Sequence, residues 1–257
     1  MDGSYDIKLL ENQLKSLNRN TKNDMMTNYA LKHKNNKDNS LKKLSSKLYK
    51  NESKLTYWQF IIKYYKLKEM EELNMSKKKV LVVVDYQKDF VDGALGFESA
   101  KNLDEGIAAL MKEYAEDEDG VIYCTFDTHS QDYLETQEGK KLPVEHCIEG
   151  TWGWELYGKV QEMEIMYPMK CTRIKKSTFG SEKLGGCLMR LNMDSGIESI
   201  TFVGVVTNMC VISNAVMAKA ACPEAEIIIK KDLVDSFDKE LHQKALDVMA
   251  SMQMTIE

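Results

Sequence analysis

Apolar runs alternate with amphipathic stretches from residue 80 to the C-terminus. The run at 80–84 is continuously apolar, which is typical of a strand buried on both faces of a parallel sheet. Similar runs predict strands at 121–126, 200–206 and 225–229, and helical periodicity predicts helices at 103–114, 209–221 and 239–252. Strands alternating with helices predict an α/β fold, a doubly wound, mainly parallel sheet with helices on both faces.

Residues 1–74 have a different pattern, rich in Lys and Asn and without a catalytic motif. One stretch, 57–67, predicts a short amphipathic helix, and the rest is typical of a solvated helix or a disordered chain. We therefore predict two parts: an N-terminal extension at 1–74 that need not belong to the functional chain, and a catalytic domain at 75–257.

Composition and charge restrict the class of protein. A hydrophobic fraction of 43% and a charged fraction of 29% are ordinary for a soluble globular protein. Apolar runs are too short to span a bilayer, and the N-terminus lacks the pattern of a secretory signal, so we expect a cytoplasmic protein without a membrane partner. A net charge of −5 and the lack of a groove-reading motif argue against a nucleic-acid partner.

Candidate chemistry follows three of the predicted strands. Asp85, Asp127 and the turn before Cys210 each come at a strand end, and the carboxyl ends of parallel strands meet at one edge of a sheet. A thiol at a helix N-terminus, as predicted for Cys210, is expected to have a lowered pKa. Asp89 is expected to cap the helix that follows it. None of the six cysteines forms a CxxC pair, which argues against a zinc ribbon or a thioredoxin-type site.

Three segments together resemble the isochorismatase/nicotinamidase family of cysteine hydrolases over about 180 residues: VLVVVDYQKDF at 80–90, KSTFG at 176–180 and GVVTNMCV at 204–211. The resemblance implies that Cys210 is the nucleophile and Asp85 the general base. It also implies a catalytic lysine, Lys176, with Lys175 as the alternative because Phe179 and Gly180 replace the usual tyrosine and serine. A cis peptide bond would join Val205 to Val206, and the N–H groups of Val206 and Cys210 would form an oxyanion hole.

A second set of residues is typical of a metal site. Asp127, His129 and His146 are donors suited to Zn²⁺, Mn²⁺ or Fe²⁺. By the resemblance they match a nicotinamidase metal site, expected to hold Zn²⁺, with Glu138 as a further ligand and Asp132 or Glu135 as alternatives to it. Phe90 and Trp152 are expected to line the substrate pocket, although Trp152 is equally consistent with a surface brace.

The implied activity is hydrolysis of a small amide, with nicotinamide as the leading substrate, in NAD salvage, by a homo-oligomer. The alternatives are a metal-independent amidase acting on a carbamoyl or ureido compound, an isochorismatase-like hydrolase, and a noncatalytic binding or scaffold protein with the same fold. The presence of Asp85, Lys176 and Cys210 together favours an enzyme.

A chain that begins at Met75 is expected to fold and to keep its activity, because no catalytic element lies before Val80. Circular dichroism and an ammonia-release assay of the shortened and full chains test this expectation. An insoluble or inactive short chain would show that residues 1–74 are part of the functional protein.

Overall fold

The computed structural model describes residues 76–257, so the predicted extension and its helix at 57–67 lie outside the described residues. Six strands follow one another along this part of the chain: β1 (Lys78–Val84), β2 (Gly120–Asp127), β3 (Cys171–Lys176), β4 (Ile197–Val205), β5 (Glu226–Asp235) and β6 (Thr255–Ile256). The α-helices are α1 (Lys88–Val91), α2 (Asp104–Glu116), α3 (Gly158–Met166), α4 (Glu182–Ser195), α5 (Ile212–Ala221) and α6 (Lys239–Ser251). Within residues 76–257, no helix is both long enough and apolar enough to pass through a bilayer.

The six strands form one sheet in the order β3-β2-β1-β4-β5-β6, and all five strand pairs are parallel. The predicted fold class is therefore confirmed. The chain adds β2 and β3 on one side of β1 and then returns to add β4 on the other side. A crevice opens at such a switch point, at the carboxyl ends of the strands, so the ends of β1 and β4 are the expected place for a site.

β1 is continuously apolar from Val80 to Val84 because both of its faces are covered. Val82 packs with α4, α5 and α6, as do the residues two positions before and after it. Leu81 and Val83 pack on the opposite face with α2 and α3. All three side chains are fully buried. Helices on both faces explain why this strand lacks the apolar and polar alternation of a half-exposed strand.

The structure differs from the sequence expectation mainly at the edge of the sheet. The sequence pattern predicts no bounded element between residues 126 and 200, yet β3, α3 and α4 lie there. β3 is an edge strand in which only Ile174 and Lys176 are buried, so its sequence has no apolar run to recognise. β5 also extends to Asp235, past the predicted end at 229, which falls too early because Lys230, Lys231 and Asp232 interrupt the apolar run.

Two glycine substitutions are expected to change stability in opposite directions. Gly204 has φ +106°, and a Cβ there would lie 2.2 Å from the carbonyl oxygen of Val84, so Gly204→Ala is expected to lower the free energy of unfolding by about 1–3 kcal/mol or more. Gly186 lies inside α4, where an added Cβ would meet open space, so Gly186→Ala should raise it by about 0.5–1 kcal/mol. Urea unfolding measures both, and equal effects would contradict this account.

Candidate active site

The turn that carries Cys210 begins where β4 ends. The peptide bond between Val205 and Val206 is cis, and a π-helical turn, Thr207–Val211, follows before α5 begins. The carbonyl oxygen of Val206 accepts hydrogen bonds from the N–H groups of Met209 and Val211, at 3.1 and 3.2 Å. Cys210 is thereby placed, buried, in a short turn over the carboxyl end of β4 rather than in the first turn of a regular α-helix.

Asn214 fixes this turn from α5. Its fully buried side chain donates hydrogen bonds to the carbonyl oxygens of Cys210 (2.8 Å) and Phe179 (2.9 Å). Its side-chain oxygen accepts a hydrogen bond from the N–H of Ser181 at 3.0 Å. One amide therefore connects the nucleophile turn to the loop that follows β3.

Asp85 lies directly after β1 and is fully buried. Its φ of +45° is in the left-handed region, where aspartate is better tolerated than most residues. Thr125 of β2 holds the carboxylate, because its hydroxyl donates a 2.6 Å hydrogen bond to Asp85 Oδ1.

Lys176, the last residue of β3, lies between these groups. Its Nζ lies 2.6 Å from Asp85 Oδ2, 3.3 Å from Asp127 Oδ1 and 3.5 Å from Cys210 Sγ. The alternative, Lys175, is on the other face of β3, where it is half exposed and pairs with Glu149. The structure thus brings Lys176, and not Lys175, to Asp85 and Cys210.

The protonation states follow from burial and neighbouring charges. Burial by itself lowers the pKa of Lys176, but the charge of Asp85 and the groups around it outweigh burial and raise that pKa well above its ordinary value. Burial raises the pKa of Asp85 in spite of Lys176. It also raises the pKa of Cys210 well above the ordinary thiol value, so the sequence expectation of a lowered pKa is wrong. Desolvation of the thiolate outweighs the effect of the Lys176 cation.

Asp127, His129 and His146 form a compact, buried group whose possible ligand atoms all lie within 4.8 Å of one another. Asp127 Oδ2 is 3.0 Å from His129 Nε2 and 3.4 Å from His146 Nε2, while the other carboxylate oxygen faces Lys176. Burial opposes ionisation of Asp127, yet Lys176 and the two histidines hold its pKa well below the usual range. An ionised carboxylate beside two imidazoles is a donor set that fits a divalent cation.

The structure does not bring the other predicted metal ligand into this group. Glu138 is half buried and lies outside the compact cluster, and Asp132 and Glu135 are exposed. The ring of Tyr133 packs beside both histidines, with its centroid 4.5 Å from that of His129 and 4.9 Å from that of His146. Burial raises the pKa of Tyr133 to about 12, and its hydroxyl donates to the carbonyl of Leu142, so it is a neutral wall.

The two predicted pocket residues have different surroundings. Phe90 packs against His146 with a centroid distance of 5.5 Å, so it borders the histidine cluster. Trp152 is 59% exposed and lies against the Lys88 ammonium, 5.5 Å from the ring centroid. This position matches the surface-brace alternative for Trp152 rather than a wall beside Cys210.

The sequence of residues 79–257 matches the family model described as the isochorismatase domain. The chain belongs to the isochorismatase family. A comparison with curated proteins finds no match. Membership agrees with the order of the motifs, since the segments of Asp85, Lys176 and Cys210 all lie inside the matched range.

Solved structures of isochorismatase-family hydrolases share this fold. The nicotinamidase/pyrazinamidase of Bacillus subtilis is 27% identical, with a TM-score of 0.62 over 70% of this chain and 98% of that one. The pyrazinamidase/nicotinamidase of Streptococcus mutans is 26% identical, with a TM-score of 0.62 over 70% and 100%. A pyrazinamidase of Pyrococcus horikoshii, described in complex with zinc, is 23% identical, with a TM-score of 0.59 over 70% and 98%, and shows the same fold.

Sequence reasoning missed three residues that shape the site: Thr125, Tyr133 and Asn214. Thr125 interrupts the apolar run of β2, and Asn214 is polar on the buried side of α5, four residues after Cys210. A polar residue inside an otherwise buried pattern was the available signal for both. Tyr133 carried no such signal, because a tyrosine in a loop has many roles.

Substitution of the buried lysine is expected to slow alkylation of Cys210. Lys176 opposes the effect of burial on the thiol pKa, so Lys176→Met should raise that pKa further and reduce iodoacetamide labelling at pH 8 by on the order of tenfold. Labelling of the Cys210 peptide, followed by mass spectrometry, measures the rate.

Lys175→Met is the matched control, because it removes an exposed lysine from the adjacent position. Its labelling rate should equal that of the unaltered protein, and labelling in both proteins should keep rising past pH 9.0, the ordinary thiol pKa. Equal slowing in the two variants would contradict the assignment of Lys176 as the partner of Cys210.

Proposed function

We propose that the chain is a cysteine amidohydrolase that converts nicotinamide to nicotinic acid and ammonia. One observation carries the proposal: Lys176 contacts both Cys210 and Asp127, so a nucleophile and a histidine–carboxylate cluster suited to a cation share one buried site. The names of the Bacillus subtilis and Streptococcus mutans structures support the same substrate. A cytoplasmic location, a homo-oligomeric state and a role in NAD salvage stay predictions from the sequence.

In the first half of the reaction, Asp85 accepts the thiol proton as Cys210 Sγ attacks the amide carbon. The negative charge that develops on the carbonyl oxygen is stabilised by the N–H groups of Val206 and Cys210 in the nucleophile turn. Asp85 then passes its proton to the amide nitrogen, the C–N bond breaks and ammonia leaves. The product of this half is a thioester on Cys210.

In the second half, Asp85 removes a proton from water, and the resulting hydroxide attacks the thioester carbon. The C–S bond breaks, the Cys210 sulfur recovers a proton from Asp85, and the carboxylic acid is released. Burial raises the pKa of Cys210, so the resting thiol is protonated, and burial also raises the pKa of Asp85, which makes its carboxylate a stronger base for that proton. Lys176 stays a cation throughout and offsets the negative charge of whichever partner is ionised.

The residues that would hold a divalent cation are Asp127, His129 and His146. His146 Nδ1 lies 2.8 Å from the carbonyl oxygen of Val144, which fixes the ring and leaves Nε2 facing Asp127 as a ligand atom. A cation bound there would supply a Lewis acid that recognises the pyridine nitrogen of the substrate. A buried set of one carboxylate and two imidazoles favours Zn²⁺, with Mn²⁺ and Fe²⁺ as alternatives.

Ammonia release is expected with nicotinamide and pyrazinamide but not with a linear carbamoyl compound. Cys210→Ala should abolish turnover without loss of fold, because Cys210 is the one thiol among the described residues that hydrogen-bonds Lys176, the partner of Asp85. His129→Ala should reduce nicotinamide turnover by at least about tenfold and lower the bound metal, since one of three protein ligands is lost. Elemental analysis and the ammonia assay, with and without chelator, provide the measurements.

The outcome with chelator decides between the substrate classes. Full nicotinamide turnover by metal-free protein would remove the cation from the proposal. Turnover of a carbamoyl compound in preference to nicotinamide would instead support the carbamoyl amidase alternative. Activity retained by Cys210→Ala would overturn the nucleophile itself.

A further inference from the structure

Residues 85–90 run from the end of β1 into α1, and among them are two polar side chains that the proposed reaction does not use, Gln87 and Asp89. Neither makes a hydrogen bond to Cys210 or Lys176 among the contacts of the described residues. Both instead bind the main chain of the segments that carry Asp127, His129 and His146. Their contacts indicate a role in the geometry of the histidine cluster.

Gln87 fixes the main chain of Asp127 on both sides. Its Oε1 accepts a 2.8 Å hydrogen bond from the Asp127 N–H, and its Nε2 donates to the carbonyl oxygens of Asp127 (2.9 Å) and Trp154 (2.8 Å). The side chain is fully buried. One acceptor and two donors are what a primary amide offers, so a glutamate of the same shape, which has no amide hydrogen, cannot replace these bonds.

Asp89 binds the segment that carries His146. It does not cap a helix as the sequence predicted, since it lies within α1 and the N-cap position belongs to Gln87. Asp89 Oδ2 accepts a 2.7 Å hydrogen bond from the N–H of Cys147, and Oδ1 accepts one from the N–H of Ala94 at 3.3 Å. Cys147 has φ +47°, a left-handed conformation that an L residue adopts only where its surroundings hold it.

Cys147 connects Asp89 to both histidines. His146 directly precedes it in the chain, and the carbonyl oxygen of Cys147 accepts a 3.0 Å hydrogen bond from the N–H of His129. A second hydrogen bond joins the same two segments, because the N–H of Glu149 donates to the carbonyl oxygen of His129 at 2.9 Å. The Asp89 carboxylate therefore holds Cys147, the residue that joins the main chain of His146 to that of His129.

Contacts with Gly153 fix the position of Asp89. Its N–H donates a 3.0 Å hydrogen bond to the carbonyl of Gly153, and a Cβ at Gly153 would lie 2.1 Å from Asp89 Oδ2. Only a glycine at this position leaves space for the carboxylate. Phe90, the next residue of α1, packs its ring against His146.

We propose that Gln87 and Asp89 are positioning residues for the divalent-cation site, and that they raise its affinity by holding the three ligands in place before the cation binds. The inference rests on the cation site of the proposed function. Replacement of residues that hydrogen-bond and orient metal ligands, without binding the metal themselves, lowers metal affinity by about 10–100-fold. The turn after β1 would thus supply Asp85 to the chemistry and also organise the cluster next to it.

Zinc binding to the full chain tests this role, measured by competition with a chromophoric chelator. Gln87→Met removes all three amide contacts at similar length, and Asp89→Ala removes the carboxylate. Both variants should bind Zn²⁺ about 10–100-fold more weakly. Asp89→Asn should lose less, because one carbonyl oxygen can still accept the Cys147 N–H. Asp92→Asn, which changes an exposed acid directly after α1, should bind as the unaltered chain does.

Circular dichroism and the thermal midpoint of the cation-free proteins separate positioning from folding. Folded variants with a lower midpoint but unchanged Zn²⁺ affinity would overturn the inference. If Gln87→Met does not fold, the comparison of Asp89→Asn, Asp89→Ala and Asp92→Asn decides it. An unaltered chain that binds no Zn²⁺ would overturn it as well, together with the cation of the proposed function, whereas nicotinamide hydrolysis would still be measured independently.

Discussion

A buried lysine is the constraint on which the rest of the site depends. Moving an ammonium out of water costs several kcal/mol unless opposite charges and hydrogen bonds compensate. Lys176 meets this requirement with two carboxylates, Asp85 and Asp127, and contacts the thiol of Cys210 as well. Two carboxylates at one edge of a sheet would repel each other without this cation between them. The lysine thus stabilises the arrangement that its own burial requires.

The parallel sheet makes this arrangement available. Asp85 follows β1, Asp127 and Lys176 end the paired strands β2 and β3, and Cys210 follows β4, so four consecutive strands of the sheet each deliver one group to the same edge. Because each group comes from a rigid strand end, their separations depend on strand register more than on loop conformation. Covering helices on both faces exclude water from the strands, and burial raises the pKa of the thiol.

Much of the fold and of the site could be predicted from the sequence where buried positions carry apolar residues. The central strands β1, β2 and β4 are largely apolar, and the residues at their ends stand out against that pattern. Prediction failed where tertiary contacts decide: β3 is an edge strand with few apolar residues, and the pKa of Cys210 follows from burial that no local pattern shows. Glu138 fits the spacing of a ligand, but it lies outside the cluster, where the ring of Tyr133 packs against the two histidines.

Asp127 shows how the two halves of the site are physically connected. One of its oxygens faces the Lys176 ammonium, and the other faces the two imidazoles, so a single carboxylate serves both the nucleophile group and the histidine group. Its main chain is bound on both sides by Gln87, two residues after Asp85. A displacement at either half is therefore transmitted to the other through a few short, buried hydrogen bonds. Such a site requires its residues to be fixed together, and the side chains of Gln87, Asp89 and Asn214 do this by binding main-chain groups.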